Sequence, residues 1–321
     1  MARSQKSSIK QSLLSRIPKP GREAIARIME ERDGKMPLEQ FLAKRWNFEE
    51  FLRADGFSKR EVAQRVSNMF SQMAAEYPGW SQKKIRTAIS LSYMMMDLKE
   101  VAIARRFTLE DPAELARGLG VLGRVRSLNC LIGGHTHFDF EVILEAFAVR
   151  DMPAAERLAE GAPAVSQGKP GFFDLYSIAV AALLQRDFGK VLSITGTMSK
   201  EKLRPWQEGT CTCLAGIADR QPRRAAEGLM LLLDGMRNMR QKDELVEAIY
   251  LPVHGLYRFA EWISPDLVAQ FDVTPPLPWD AELHAWCESH PDPLAGIELS
   301  GISPVLHQAV VLLQPPAEWI T

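Results

Sequence analysis

Cysteine is scarce, with four in 321 residues: Cys130, Cys211, Cys213 and Cys287. So few thiols do not make a disulfide framework, and a reducing, cytoplasmic compartment is the expectation. No apolar run approaches the roughly 18 residues of a membrane span. Met1 to Lys10 is polar and basic with no apolar stretch behind it, so no secretory signal is expected and the segment reads as a mobile basic arm. Alternating β-type patterning is nearly missing; only 121–132 (VLGRVRSLNCLI) is ambiguous between a strand and a buried helix. Positive charge is scarce in one place. Residues 241–321 hold 2 Lys+Arg against 12 Asp+Glu, whereas residues 1–110 hold 21 against 13 and residues 111–240 hold 16 against 15. The net charge of −1 therefore conceals a basic start and an acidic end.

What is present is helical. Hydrophobic residues make up 46% and charged residues 25%, which is ordinary for a folded soluble chain. Ala24, Ile25, Ile28 and Met29 recur at helical spacing, and a second helix is predicted over 37–54. Ser58 and Glu61 make a capping box that opens a helix to about Glu76. Ser81 opens another to about 106, and Asp111-Pro112 is an N-cap followed by proline at the first helical position.

From about 138 a different organisation begins. Residues 140–161, 174–195 and 209–236 each read as helix, tight turn, helix. They turn at Arg150-Asp151, Arg186-Asp187 and Arg220-Gln221, so the turn arginines lie 36 and 34 residues apart. Two helices per period of about 34 residues is the mark of tetratricopeptide-like arrays, in which hairpins stack because none can bury its apolar face alone. A degenerate fourth unit is expected at 247–272, turning at Ser264-Pro265. The Pro-rich close, 273–321, is predicted to hold short helices at 280–289 and 303–313 and to pack on the body through Trp279, Trp286 and Trp319. The fold expected is all-α: an irregular helical-hairpin array over 111–321 preceded by a basic helical region over 1–110.

Several motifs suggest chemistry. Gly118, Gly120 and Gly123 match G-x-G-x-x-G, but the fingerprint needs a strand before it and the preceding residues read as a helix, so glycines ending one helix and turning into the next explain the same letters. His135 and His137, with Asp139 and Glu141 behind them, resemble the metal-binding H-x-H of amidohydrolases. The alternating strands and further histidine ligands of that class are missing, and a metal-dependent hydrolase stands as the alternative reading. Cys211-x-Cys213 on a helix points its thiols roughly 200° apart, which suits buried packing better than metal binding. Ser199 and Lys202 make an S-x-x-K with no companion motif. The basic N-terminal region offers a third reading, a nucleic-acid-binding regulator, although Glu30, Glu31, Glu39, Glu49 and Glu50 interrupt its cations. No catalytic residue, metal or cofactor is expected.

Two segments carry a resemblance. YSIAVAALLQRDFGKVLSI (176–194) and HGLYRFAEWISPDLVAQFDVTPPLPWD (254–280) make the stretch 138–280 similar to the all-helical family numbered forty-nine among the immunity proteins of bacterial polymorphic toxin systems. The resemblance implies a cytoplasmic antitoxin that neutralises a cognate toxin by binding it, without catalysis. Acidic residues with few basic neighbours, Glu261, Asp266, Asp272, Asp280 and Glu282, are then the expected contacts for a basic toxin, since complementary charge raises association rate and specificity. The same carboxylates could instead dock onto the chain's own basic helices.

Overall fold

The structure is a computed structural model, and it describes residues 12–133, 140–160, 170–239, 244–270 and 279–320. All regular elements among these residues are helical. The N-terminal region supplies α1 (Leu13–Arg16), α2 (Lys19–Glu31), α3 (Leu38–Trp46), α4 (Phe48–Ala54), α5 (Lys59–Glu76), α6 (Gln82–Met95), α7 (Leu98–Leu109) and α8 (Pro112–Leu131). The predicted caps are in place. Ser58 accepts from the Glu61 amide while Glu61 accepts from the Ser58 amide, Ser81 accepts from Lys84, and Asp111 accepts from Ala113.

Two expected helices are broken. The helix predicted over 37–54 divides at Asn47 into α3 and α4. The helix predicted from Ser81 to 106 divides at Asp97, which lies in the left-handed region with φ 59°. That turn aims the Asp97 carboxylate at Arg32 (3.0 Å) and Arg45 (3.1 Å), so two cations offset a backbone conformation that disfavours a side chain. The ambiguous stretch 121–132 is helical and almost wholly buried within α8.

The hairpins follow: α9 (Phe140–Ala148) with α10 (Met152–Glu160), α11 (Phe172–Leu184) with α12 (Phe188–Met198), and α13 (Pro205–Ala218) with α14 (Pro222–Arg237). Their turns share one geometry. Arg150, Arg186 and Arg220 all have positive φ, at 61°, 58° and 52°. At each turn the arginine amide bonds three residues back and the next amide five residues back, as with Asp151 N–H to Ala146 O at 2.9 Å, Asp187 N–H to Ala182 O at 2.9 Å and Gln221 N–H to Gly216 O at 2.8 Å. This is the Schellman closure, which satisfies the orphan carbonyls at a helix end. Asp151 and Asp187 then cap the following helix, and Pro222 takes the first position of α14.

Within the third hairpin the backbones touch. Gly209 and Gly216 on α13, and Gly228 and Gly235 on α14, are each seven residues apart. A Cβ at Gly209 would lie 2.2 Å from the Leu232 nitrogen, and one at Gly228 would lie 2.2 Å from the Cys213 nitrogen. After a 3-10 turn, Glu244–Glu247, come α15 (Leu251–Ile263) and α16 (Pro265–Ala269), joined at Ser264-Pro265 as expected, but through extended backbone rather than an arginine turn. α15 packs back on α9: Phe147 and Phe259 stack with centroids 3.5 Å apart, and a Cβ at Gly255 would meet the Leu144 carbonyl oxygen. The fourth unit thus lies against the first. The chain ends with α17 (Ala281–Ser289), α18 (Pro304–Leu312) and α19 (Ala317–Ile320).

There are two main cores. One unites α2, α3 and α6–α8 with Leu283, Cys287, Leu306, Val310 and Trp319 of the C-terminal close. The other fills the array from Ile143 to Leu267. The expected boundary at 110/111 therefore cuts through the first core, where α7 and α8 pack so closely that a Cβ at Gly118 would lie 2.5 Å from the Ala102 Cβ. The described part of the close returns to the N-terminal helices.

Candidate functional site

The acidic residues expected to meet a partner are positioned by α15, α16 and α17, and most are engaged within the chain. Asp280 caps α17 through the Leu283 amide and is buried. Its two oxygens accept from Nε (2.6 Å) and Nη2 (2.9 Å) of Arg106, a fully buried residue of α7. Glu282 accepts from the same Nη2 at 2.8 Å, with its side chain 49% exposed. Glu261 accepts from Arg258 Nη1 at 2.6 Å, and Glu288 accepts from Arg150 at 2.8 Å and also from Arg258. Asp266 on α16 is exposed. Asp272 lies outside the described residues. The expectation of an open acidic face is thus corrected at Asp280: a carboxylate so deeply buried needs a cation and hydrogen bonds, and Arg106 provides both.

The same joint holds a histidine pair. His254 on α15 is fully buried, and its Nδ1 lies 3.0 Å from Nε2 of His284 on α17. The Asp280 amide donates to His254 Nε2 at 3.4 Å, so the His254 proton belongs on Nδ1 and is donated to His284. Trp279 stacks on both rings, with centroids 4.3 and 4.2 Å away. Burial first, then His254, Arg258 and Arg150, push the His284 imidazolium far below its ordinary pKa. The His284 ring is thus a neutral filler of the joint. The adjoining cleft of about 620 Å³ has its charged lining (Arg150, Arg258, Glu261 and Glu288) tied up in ion pairs.

The other motifs resolve into packing where they can be seen. Gly118, Gly120 and Gly123 do not end a helix as expected; they lie inside the unbroken α8, where close packing such as that of Gly118 on Ala102 uses their small size and their backbone amides are committed to the helix. Cys211 and Cys213 are buried in α13; burial pushes the Cys211 thiol up to about 12 and the Cys213 thiol higher still. Ser199 ends α12, its hydroxyl donating to the Thr195 carbonyl. His135, His137 and Asp139 lie outside the described residues. Among the described residues no group of three or more His, Cys, Asp or Glu could hold a metal ion, and no helix is long and apolar enough to cross a membrane.

Sequence reading missed one surface. A groove of about 720 Å³ runs between the third hairpin turn and the end of α16, lined by Arg220, Gln221, Pro222, Arg223, Arg224 and Gln270 among others. Arg220, Arg223 and Arg224 are exposed and have no carboxylate partner among the described residues. Arg220 lies 5.9 Å from the centre of the Phe188 ring, and the other turn arginines are engaged more fully. Arg186 sits 4.4 Å over the Trp262 ring and donates to its carbonyl, while Arg150 holds Glu288. The signal was in the sequence as R-Q-P-R-R at 220–224, masked by the near-neutral charge of the middle third.

No family model, curated protein or solved structure matches the chain.

Proposed function

We propose that this chain is a cytoplasmic immunity protein that neutralises a cognate toxin by binding it, and that the hairpin array provides the contact surface. The observation that carries the reading is the exposed arginine groove at the third turn. Arg220 occupies a left-handed backbone position that costs a side chain roughly 1–2 kcal/mol and that glycine would fill more easily. Arg223 and Arg224 stand beside it, exposed and without an ion pair among the described residues. Arginine is the charged residue most enriched where proteins recognise proteins, because its planar fork pairs with carboxylates and stacks on rings.

A toxin is named as the partner because segments 176–194 and 254–280 resemble an all-helical immunity-protein family. The sign of the interface differs from the expectation for a basic toxin. Asp280 is occupied by Arg106, so the favoured toxin surface is acidic and meets the arginine groove. Binding of this kind needs no catalytic group.

The test is protection of growth. The product of the gene immediately upstream in the native host is expressed with wild-type protein or with the Arg220→Glu/Arg223→Glu/Arg224→Glu variant. Wild type should restore growth and the variant should not, at equal soluble level. An upstream product that is harmless, or full protection by the variant, would overturn the reading.

A further inference from the structure

A second surface, independent of the toxin reading, stands out on α5. This helix of 18 residues has one buried side chain, Val62. Val66, Met69, Phe70 and Met73 are half-buried on the same side, against the small clusters built on Phe48, Phe51, Leu52, Ile85 and Tyr93. The opposite stripe runs Arg60, Gln64, Ser67, Asn68, Ser71, all exposed, for most of a helix about 27 Å long. It contains no carboxylate, no aromatic ring and no large aliphatic side chain. Glu61, the acid of the first turn, is folded back on the Ser58 amide.

The lead-in is a short helix and a tight turn. α4 ends at Ala54, Gly56 turns the chain at φ +90°, and the Ser58 box starts α5. Helix, glycine turn and a longer, outward-facing helix is the arrangement that places a second helix in the major groove of duplex DNA. We propose that α5 binds double-stranded DNA in this way. Lys59 and Arg60 have no acid partner among the described residues, and Arg65, one turn from Glu61, is steadied over the Phe57 ring at 3.8 Å. These cations suit the phosphate backbone.

The outward stripe suits the base edges. Arginine reads guanine, and glutamine and asparagine read adenine, through paired donors and acceptors. Gln64 Nε2 donates to Asn68 Oδ1 at 2.8 Å, which fixes both amides and leaves the Gln64 oxygen and the Asn68 amino group facing outward. A protein partner would favour aromatic or aliphatic anchors, and the stripe has none.

The test uses the full chain and fluorescence anisotropy with a pool of 30-base-pair duplexes. Wild type should bind. Three neutralised phosphates should make binding about 40-fold weaker between 50 and 200 mM salt. Lys59→Glu/Arg60→Glu should weaken binding at least tenfold with an unchanged circular dichroism spectrum. Gln64→Ala/Asn68→Ala should keep pool affinity while losing the preference for sequences enriched by selection. The inference is overturned if wild type does not bind at 50 mM salt, if Lys59→Glu/Arg60→Glu binds equally well, or if Arg220→Glu/Arg223→Glu/Arg224→Glu loses binding instead. Equal or tighter binding to duplex RNA, whose deep groove excludes a helix, would also overturn it.

Discussion

Arg106 and Asp280, 174 residues apart in the chain, meet as a two-point ion pair at 2.6 and 2.9 Å with both side chains buried. The pair joins the basic N-terminal body to the start of the acidic close. Smaller links run the same way: Arg27 to Glu244 at 2.6 Å, Lys83 to Glu318 at 3.0 Å, and Arg117 to the Ala295 carbonyl at 3.2 Å. Part of the charge asymmetry of the sequence thus serves intramolecular docking. Asp280→Ala removes the two-point buried partner and leaves the Arg106 Nε without its acceptor and only half-exposed Glu282 on Nη2, so it should cost about 3 kcal/mol in urea unfolding. Glu282→Ala, on the half-exposed side of the same guanidinium, should cost about 1 kcal/mol or less. Equal effects would show that the buried pair does not hold the joint.

Backbone contact between α13 and α14 predicts opposite outcomes for one substitution at two glycines. Gly228→Ala must separate the helices, because its Cβ would lie 2.2 Å from a backbone nitrogen. Overpacking of this kind should destabilise by about 1–3 kcal/mol or more. Gly196→Ala, on the exposed side of α12 with nothing within 4 Å, should stabilise by up to about 1 kcal/mol through helix propensity. Thermal melting of the two variants checks both signs.

Acid should loosen the joint before the carboxylates titrate. In the unfolded chain His284 takes up a proton below about pH 6.5. In the folded chain its pKa is depressed by burial and by nearby His254, Arg258 and Arg150, so it remains neutral. The unfolded state then binds more protons, and the contribution present above pH 6.5 is lost as pH falls. One proton gives a slope of up to about 1.4 kcal/mol per pH unit. Urea midpoints between pH 7 and 5 should follow this trend, and His284→Gln should flatten it. An unaltered slope in that variant would assign the acid sensitivity elsewhere.

Thiol chemistry should divide the cysteines. Burial pushes Cys211 and Cys287 up to about 12, and Cys213 is completely enclosed. Cys130 is partly exposed. Iodoacetamide at pH 8 should label Cys130 first in native protein and all four after denaturation, read by mass spectrometry. Rapid labelling of Cys211 or Cys213 in native protein would contradict the packing of α13.

Much of this was legible in the sequence. Ser58 with Glu61 and Asp111 with Pro112 are local devices, and they cap the helices they announce. The three turn arginines are legible from recurring helix-turn-helix patterns, and they share one backbone geometry. Long-range relations were less legible. Helical periodicity shows that Leu283 and Leu306 face a core, but not that the core belongs to α8. Composition shows that 241–321 is acidic, but not that Arg106 waits for Asp280. Asp97 was read as the interior of a helix because nothing local signals a left-handed turn; Arg32 and Arg45, far away in sequence, make it favourable. The arginine groove is not legible in the charge of long segments, which averages out a cluster of five residues.

The most direct test of the functional account is the affinity of purified protein for the product of the upstream gene, measured by titration calorimetry. The account predicts one-to-one binding, at least about 100-fold weaker for Arg220→Glu/Arg223→Glu/Arg224→Glu, since two or three arginine contacts at about tenfold each give that loss. It predicts near wild-type affinity for Asp266→Asn/Glu282→Gln. Undiminished binding by the arginine variant, with loss in the acidic one, would contradict it and return the interface to the acidic close.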